Sequence, residues 1–280
     1  MASLIDGLKS APQIMGILNL TPDSFSDGGK FFLKGKTSLD IDHVLFEAEA
    51  MRYAGASILD LGGESTRPGA LAVGVNEELD RVIPPLTAIA SRIDCITSVD
   101  TSSPAVMIEA AKAGVSLIND VRGFRSKEAK MTIGELGLPI CIMHMQNEPL
   151  TMQDKPHYED VVGEVFDWLI CQTRKCVQYG VAKDNILIDP GFGFGKNLQQ
   201  NIDIFNSLEI FVKSGFPVLV GLSRKAMIGS ILDKPVNERA FGSAVSAMLA
   251  VQKGVSIVRV HDVAETSDAL KILNLFGRKN

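Results

Sequence analysis

Four residues, each at the end of an apolar run, have the chemistry to grip a flat, nitrogen-rich ring: Asp100, Asn119, Asp189 and Lys225. Carboxylates accept from ring and exocyclic N–H groups, an amide donates and accepts, and an ammonium donates to a ring carbonyl or nitrogen. Each has an ordinary alternative, since the aspartates could cap helices and the lysine could sit in water. Four of them at comparable positions favour a common site. A second set, Asn19, Arg67, Arg259 and His261, suits an anion. Paired guanidinium donors, an imidazole and an amide can surround a phosphate or diphosphate. Lacking an HExxH, an EF-hand or a Cys/His cluster, the sequence points to Mg2+ held mainly by diphosphate and water, with Asn19 as its protein contact.

The run NLTPDSFSDGG, Asn19 to Gly29, adds an amide, carboxylates and a phenylalanine to its turn formers, which marks a ligand-touching loop. GFGFGKN, Gly191 to Asn197, is not a nucleotide loop: it lacks the GxGxxG spacing, Pro190 stands where a P-loop needs its first glycine, and Asn197 stands where Ser or Thr is needed. His43 and His157 read as structural or surface residues.

The elements that must position these groups recur regularly. Apolar runs occur at Ile14 to Leu18, Ser57 to Leu61, Cys95 to Val99, Ser116 to Ile118, Pro139 to Met143, Ile186 to Ile188, Pro217 to Val220 and Ser256 to Val260. They are apolar on consecutive positions, as in parallel strands covered on both faces. Helical patterns lie between them. Pro104 opens one helix that should end at Gly114; Asp160 to Tyr179 should bury Val161, Val162, Val165, Phe166, Leu169 and Val177; and Asp262 with Glu265 has capping-box spacing. Eight strand–helix alternations over about 250 residues predict a single-domain α/β fold, a (β/α)8 TIM barrel with residues 12–275 as the barrel proper. An open doubly wound sheet is the alternative. In a barrel the strand exits carry function, and here they are rich in polar residues while the entrances offer mostly Gly, Pro, Ser and Cys.

Composition narrows the partners. The 280 residues are 46% hydrophobic and 22% charged, and 33 acidic against 28 basic side chains leave a formal charge of −5 with no basic cluster. That argues against nucleic acid and anionic lipid and for small molecules. With neither a membrane-length apolar run nor a signal-like start, the expected location is cytoplasmic. Cys95, Cys141, Cys171 and Cys176 form no CxxC pair and read as free thiols without a chemical role.

Together with NLTPDSFSDGG, the runs GGESTRPG (Gly62 to Gly69), SVDT (Ser98 to Thr101), IND (Ile118 to Asp120), MHMQ (Met143 to Gln146), DPGFGFGKN (Asp189 to Asn197), SRKAMIG (Ser223 to Gly229) and RVHD (Arg259 to Asp262) resemble the dihydropteroate synthase family, in order and along almost the whole chain. The resemblance implies a pterin-binding barrel that joins 6-hydroxymethyl-7,8-dihydropterin diphosphate to p-aminobenzoate, releasing diphosphate in folate biosynthesis. It further implies Mg2+, a homodimer and a sulfonamide target.

Carried over by motif, Asp100, Asn119, Met143, Asp189 and Lys225 would hold the pterin; Asn19, Arg67, Arg259 and His261 the diphosphate; and Phe25, Asp27, Thr66, Arg67, Pro68, Phe194, Ser223 and Lys225 the p-aminobenzoate. Asp100, Asp189, Lys225, Arg259 and His261 would take part in the chemistry, by dissociation of diphosphate before the arylamine attacks. Two other activities fit the same scaffold: methyl transfer from a reduced folate to a corrinoid protein, and pterin binding without turnover. Neither needs both a diphosphate cluster and an intact p-aminobenzoate pocket. Departures from the family pattern are confined to Ala70 to Gly74, Ser103 and the length of Lys30 to Thr37.

Overall fold

A computed structural model describes residues 11–22, 31–32, 39–65, 73–147, 151–152 and 156–277. Phe25, Asp27, Thr66, Arg67 and Pro68 lie outside the described residues.

The chain alternates β1 (Gln13–Asn19), α1 (Ile41–Ala54), β2 (Ile58–Gly62), α2 (Val75–Arg92), β3 (Ile96–Asp100), α3 (Pro104–Lys112), β4 (Leu117–Asp120), α4 (Lys127–Leu136), β5 (Ile140–Met143), α5 (Val161–Gln178) and β6 (Ile186–Asp189). It continues through α6 (Leu198–Asn206), α7 (Leu208–Val212), β7 (Leu219–Val220), α8 (Ala226–Leu232), α9 (Ala240–Gln252), β8 (Ile257–Val260) and α10 (Val263–Phe276). All eight strands are parallel, in the order β6-β5-β4-β3-β2-β1-β8-β7, and a parallel bridge between Ile188 and Val218 joins β6 to β7. The sheet therefore closes into a (β/α)8 barrel, and the open-sheet alternative falls. The seventh strand is shorter than its apolar run because Pro217 has no N–H to give the ladder; only its carbonyl pairs, taking Ile188 N–H at 3.0 Å.

Why the strands read as unbroken apolar runs is clear from what each face meets. Met15, Ile58, Leu117, Cys141, Leu187, Leu219 and Ile257 form one cluster with Ile96, one residue from each strand, and fill the barrel floor. The alternate positions, among them Leu18, Leu59, Leu61, Val99, Ile118, Ile142, Ile188, Val220, Val258 and Val260, join the larger core beneath the helices. Side chains alternate with period two, so residues two and four beyond the floor also face inward. Among those are Asn19, Asp60, Ser98, Asp100, Asn119, Asp189, Ser223, Arg259 and His261, together with the apolar Ile17, Val121, Met143 and Met145. The barrel interior is thus apolar at its floor and largely polar above it.

The helices obey their end signals with two exceptions. Pro104 stands in the first turn of α3, and Gly114 follows it with φ of 90°. Asp160 caps α5, accepting from Val162 N–H and Gly163 N–H at 3.2 and 3.1 Å. Val177, expected on the buried face, is 42% exposed. It lies about 160° around the helix from Val161 at 3.6 residues per turn, and Cys176 takes the buried position. Asp262 makes no capping bond to α10, because its carboxylate is taken by the Arg224 guanidinium. All four cysteines are free thiols, and no helix among the described residues is long and apolar enough to cross a membrane.

Candidate active site

The polar tier centres on Arg259, which rises from the floor of β8. Its Nε donates to Asp60 Oδ2 at 2.6 Å and its Nη2 to Asp100 Oδ2 at 3.3 Å. Asn119 Nδ2 donates to the same Asp60 oxygen at 3.3 Å. Burial works against the guanidinium's charge, but Asp60 and Asp100 outweigh it and hold its pKa above the ordinary value. Burial pushes the Asp100 carboxyl above its ordinary range; Arg259 pulls it back, and Asp60 pushes it up again. Charges packed this tightly away from water set their partners' protonation states through short distances and little screening.

Asp189, at the end of β6 and in register with Met143, is raised by burial and opposed by Lys225. Its Oδ1 also accepts Gly191 N–H at 2.7 Å. Lys225 donates to Phe192 O and lies 4.6 Å over the Phe194 ring, with burial bringing its ammonium down to about 8 against the pull of Asp189. Met143 packs with Val121, Met145, Met152 and Phe194 into an apolar wall beside these groups. A flat ring set against that wall would find acceptors, an amide and an ammonium around its edge.

On the far side of Arg259, β1 ends in Asn19 and β8 leads into His261. Arg259 is in register with Met15 of β1, so these two strands are neighbours. Ser223 Oγ accepts His261 N–H at 3.1 Å and faces His261 Nδ1 at 3.1 Å. A hydroxyl that accepts the N–H can donate to Nδ1, which leaves Nε2 as the donor of the ring. Ser223 therefore orients His261. Arg224, at φ of 55°, is anchored by Asp262 and donates its N–H to Ser243 Oγ at 2.9 Å, setting the chain direction into Lys225.

Several contributors escaped the sequence reading. Asp60 is fully buried in the middle of a strand, and its one legible signal is its spacing of two from Ile58. The rejected glycine loop proves to be a built clamp. Gly191, Gly193 and Gly195 all have positive φ, and a Cβ on Gly191 would lie 1.9 Å from His144 O. The buried Lys196 ammonium donates to Gly191 O at 2.9 Å and Phe194 O at 3.0 Å, and lies 3.0 Å from His144 Nδ1. Burial brings Lys196 to about 7, and burial with Lys196 nearby brings His144 to about 2. Asn201 Oδ1 takes Gly193 N–H at 2.7 Å, and Asn197 with Gln200 forms a capping box on α6. The clamp presents Phe192 O and the Phe194 ring to Lys225. Asp120, by contrast, holds its own turn, accepting Arg122 N–H and Phe124 N–H at 2.8 and 2.7 Å.

For Mg2+, the chemistry present suits a cation bound chiefly by its ligand. No group of three or more His, Cys, Asp or Glu that could hold a metal occurs among the described residues, and β1 ends in the amide-bearing Asn19.

A closed barrel whose mouth sets ring-edge acceptors, an ammonium and an apolar wall next to a guanidinium belongs to the class of barrels built to hold a small, flat, polar ligand at the strand ends. The family model described as pterin binding enzyme matches residues 15–261. A dihydropteroate synthase from Haemophilus influenzae is 53% identical over 263 residues, covering 94% of this chain and 93% of the relative. The Yersinia pestis dihydropteroate synthase, solved with a sulfonamide drug complex, is 46% identical with a TM-score of 0.91, covering 96% of this chain and 95% of that one. The Xanthomonas albilineans dihydropteroate synthase with 4-aminobenzoic acid is 41% identical with a TM-score of 0.88, covering 97% and 95%. The chain belongs to the dihydropteroate synthase family, transferases of folate biosynthesis.

Proposed function

We propose that this chain joins 6-hydroxymethyl-7,8-dihydropterin diphosphate to p-aminobenzoate, with Asp100, Asn119, Met143, Asp189 and Lys225 on the pterin, Asn19, Arg67, Arg259 and His261 on the diphosphate, and Phe194, Ser223 and Lys225 on the p-aminobenzoate. The observation that carries this reading is Arg259, whose guanidinium bridges Asp60 and Asp100 at the joint between the ring-edge groups and the anion side. Bond cleavage to diphosphate leaves positive charge on the pterin methylene and negative charge on the leaving group. Asp100 and Asp189, both raised by burial, gain from a cation beside them, and Arg259 and His261 donate to the departing anion. Fixed groups in a site poor in water need little reorganisation to do this. The neutral aniline nitrogen is already nucleophilic toward a cation, so no strong general base is required.

Mg2+, bound through the diphosphate and Asn19, would add charge neutralisation on the leaving group. Sulfonamides would compete on the p-aminobenzoate side. We further propose a cytoplasmic homodimer; supporting it, exposed Ile231, Phe241, Leu249, Ile272, Leu275 and Phe276 lie on the last three helices. The test is turnover by the purified protein with both substrates, with and without Mg2+, following diphosphate and dihydropteroate. Stoichiometric formation of both is expected. Tight pterin binding with no product would instead support the non-catalytic binder.

A further inference from the structure

Asp60 has a task that the reaction just described does not assign to it. It lies on β2, fully buried and facing inward, two residues deeper than Gly62, the register partner of Asp100. Among the described residues, all its side-chain hydrogen bonding runs through Oδ2, to Arg259 Nε at 2.6 Å and Asn119 Nδ2 at 3.3 Å. Oδ1 has no hydrogen-bond partner there, nor does the hydroxyl of Ser98, its register partner on β3.

The two bonds have different consequences. A carboxylate only accepts, so Asn119 must turn its NH2 toward Asp60, which leaves its carbonyl oxygen as the acceptor for a ligand. That orientation selects a ring edge carrying an N–H at this point. Arg259, held at Nε by the shorter bond, keeps its plane fixed, while the longer 3.3 Å contact from Nη2 to Asp100 is the one a ligand anion can displace. One oxygen atom thus holds a ring-reading amide and an anion-reading guanidinium in a fixed relation.

We infer that Asp60 is a positioning residue that sets the distance and orientation between the pterin subsite and the diphosphate subsite, through Asn119 and Arg259. This rests on the proposed reaction. Substrates in which one short linker joins ring to diphosphate would be favoured, because neither reader can shift without the other.

The test compares Asp60→Asn, Asp60→Glu, Arg259→Lys and the double variant Asp60→Asn/Arg259→Lys with the wild-type protein. The expected result is a loss of about 10- to 100-fold in kcat/KM for the pterin diphosphate in Asp60→Asn, the size of one charge-assisted hydrogen bond. The KM for p-aminobenzoate at saturating pterin should stay within about twofold, a split that general loosening of the barrel would not produce. In the Arg259→Lys background the same substitution should cost distinctly less, because the residues act as a unit. Asp60→Glu keeps the charge and displaces it by one methylene; it should show the same split, and it decides the matter if Asp60→Asn does not fold. Wild-type kinetics in Asp60→Glu, equal changes in both KM values, or fully multiplicative losses would overturn the inference. Failure of the wild-type protein to turn over would refute the reaction itself; calorimetric affinity of the variants for the pterin diphosphate would still test the positioning.

Discussion

Acid should destabilise the fold through one residue that holds the glycine clamp, His144. Its imidazole is 5% exposed and accepts from Lys196 at 3.0 Å, and it is held neutral down to about pH 2 against an ordinary value of 6.5. Between those values the unfolded chain binds a proton that the folded one refuses, so stability rises with pH across the window and is lost as pH falls below 6.5. At 1.36 kcal/mol per unit, His144 by itself withdraws about 1.5 × 1.36, or roughly 2 kcal/mol, as the pH is lowered from 7 to 5. Lys196 adds its own dependence only from about 7 up to 10.5, while the buried carboxyls Asp100, Asp120 and Asp189, raised by burial, act in the opposite sense as pH falls, so the His144 share is read as the difference between the wild-type protein and a His144 variant. His144→Asn keeps an acceptor near Nδ1 and removes the titration. Scanning calorimetry at pH 7 and pH 5 should show the wild-type Tm falling about 4 °C further than that of the variant, at roughly 2 °C per kcal/mol for a chain of this size. Equal Tm shifts in the two proteins would refute the reasoning.

Two further outcomes follow from the same geometry. Lys225 titrates at about 8, so its donor to the ring is lost as pH rises through that value; kcat/KM for the pterin diphosphate should decline above pH 8, and Lys225→Arg should flatten that limb in a pH–rate profile. Gly191→Ala forces a side chain into a left-handed backbone at φ of 70° and within 1.9 Å of His144 O, which should destabilise the protein by about 2–5 kcal/mol, read as a large drop in Tm or loss of soluble protein on expression.

The strand exits were legible because polar residues such as Asp100, Asn119, Asp189 and Arg259 interrupt apolar runs that would otherwise continue, and a run covered on both faces tolerates such an interruption only where the barrel opens. Family resemblance added which substrate each group would meet. Asp60 was not legible in the same way. In a doubly covered strand both sets of alternate positions are apolar, so nothing local tells the inward set from the outward one until floor residues such as Ile58 and Leu187 are seen together. Val177 misled for a related reason: an apolar residue late in a long helix has drifted off the face on which the helix began.

Read by itself, the chain determined the barrel, the order of its strands and most of the side chains at its mouth, because those depend on local period, end signals and polarity. Only the tertiary structure decided the partnerships: Asp60 with Arg259, 199 residues apart; Lys196 with His144, 52 apart; and Arg224 with Asp262, 38 apart. Such pairs form where the closed barrel brings distant strand ends within hydrogen-bond reach, and the pKa of each member follows from burial and from that partner. Chemistry at the site is therefore a property of the closure, which no single stretch of sequence contains.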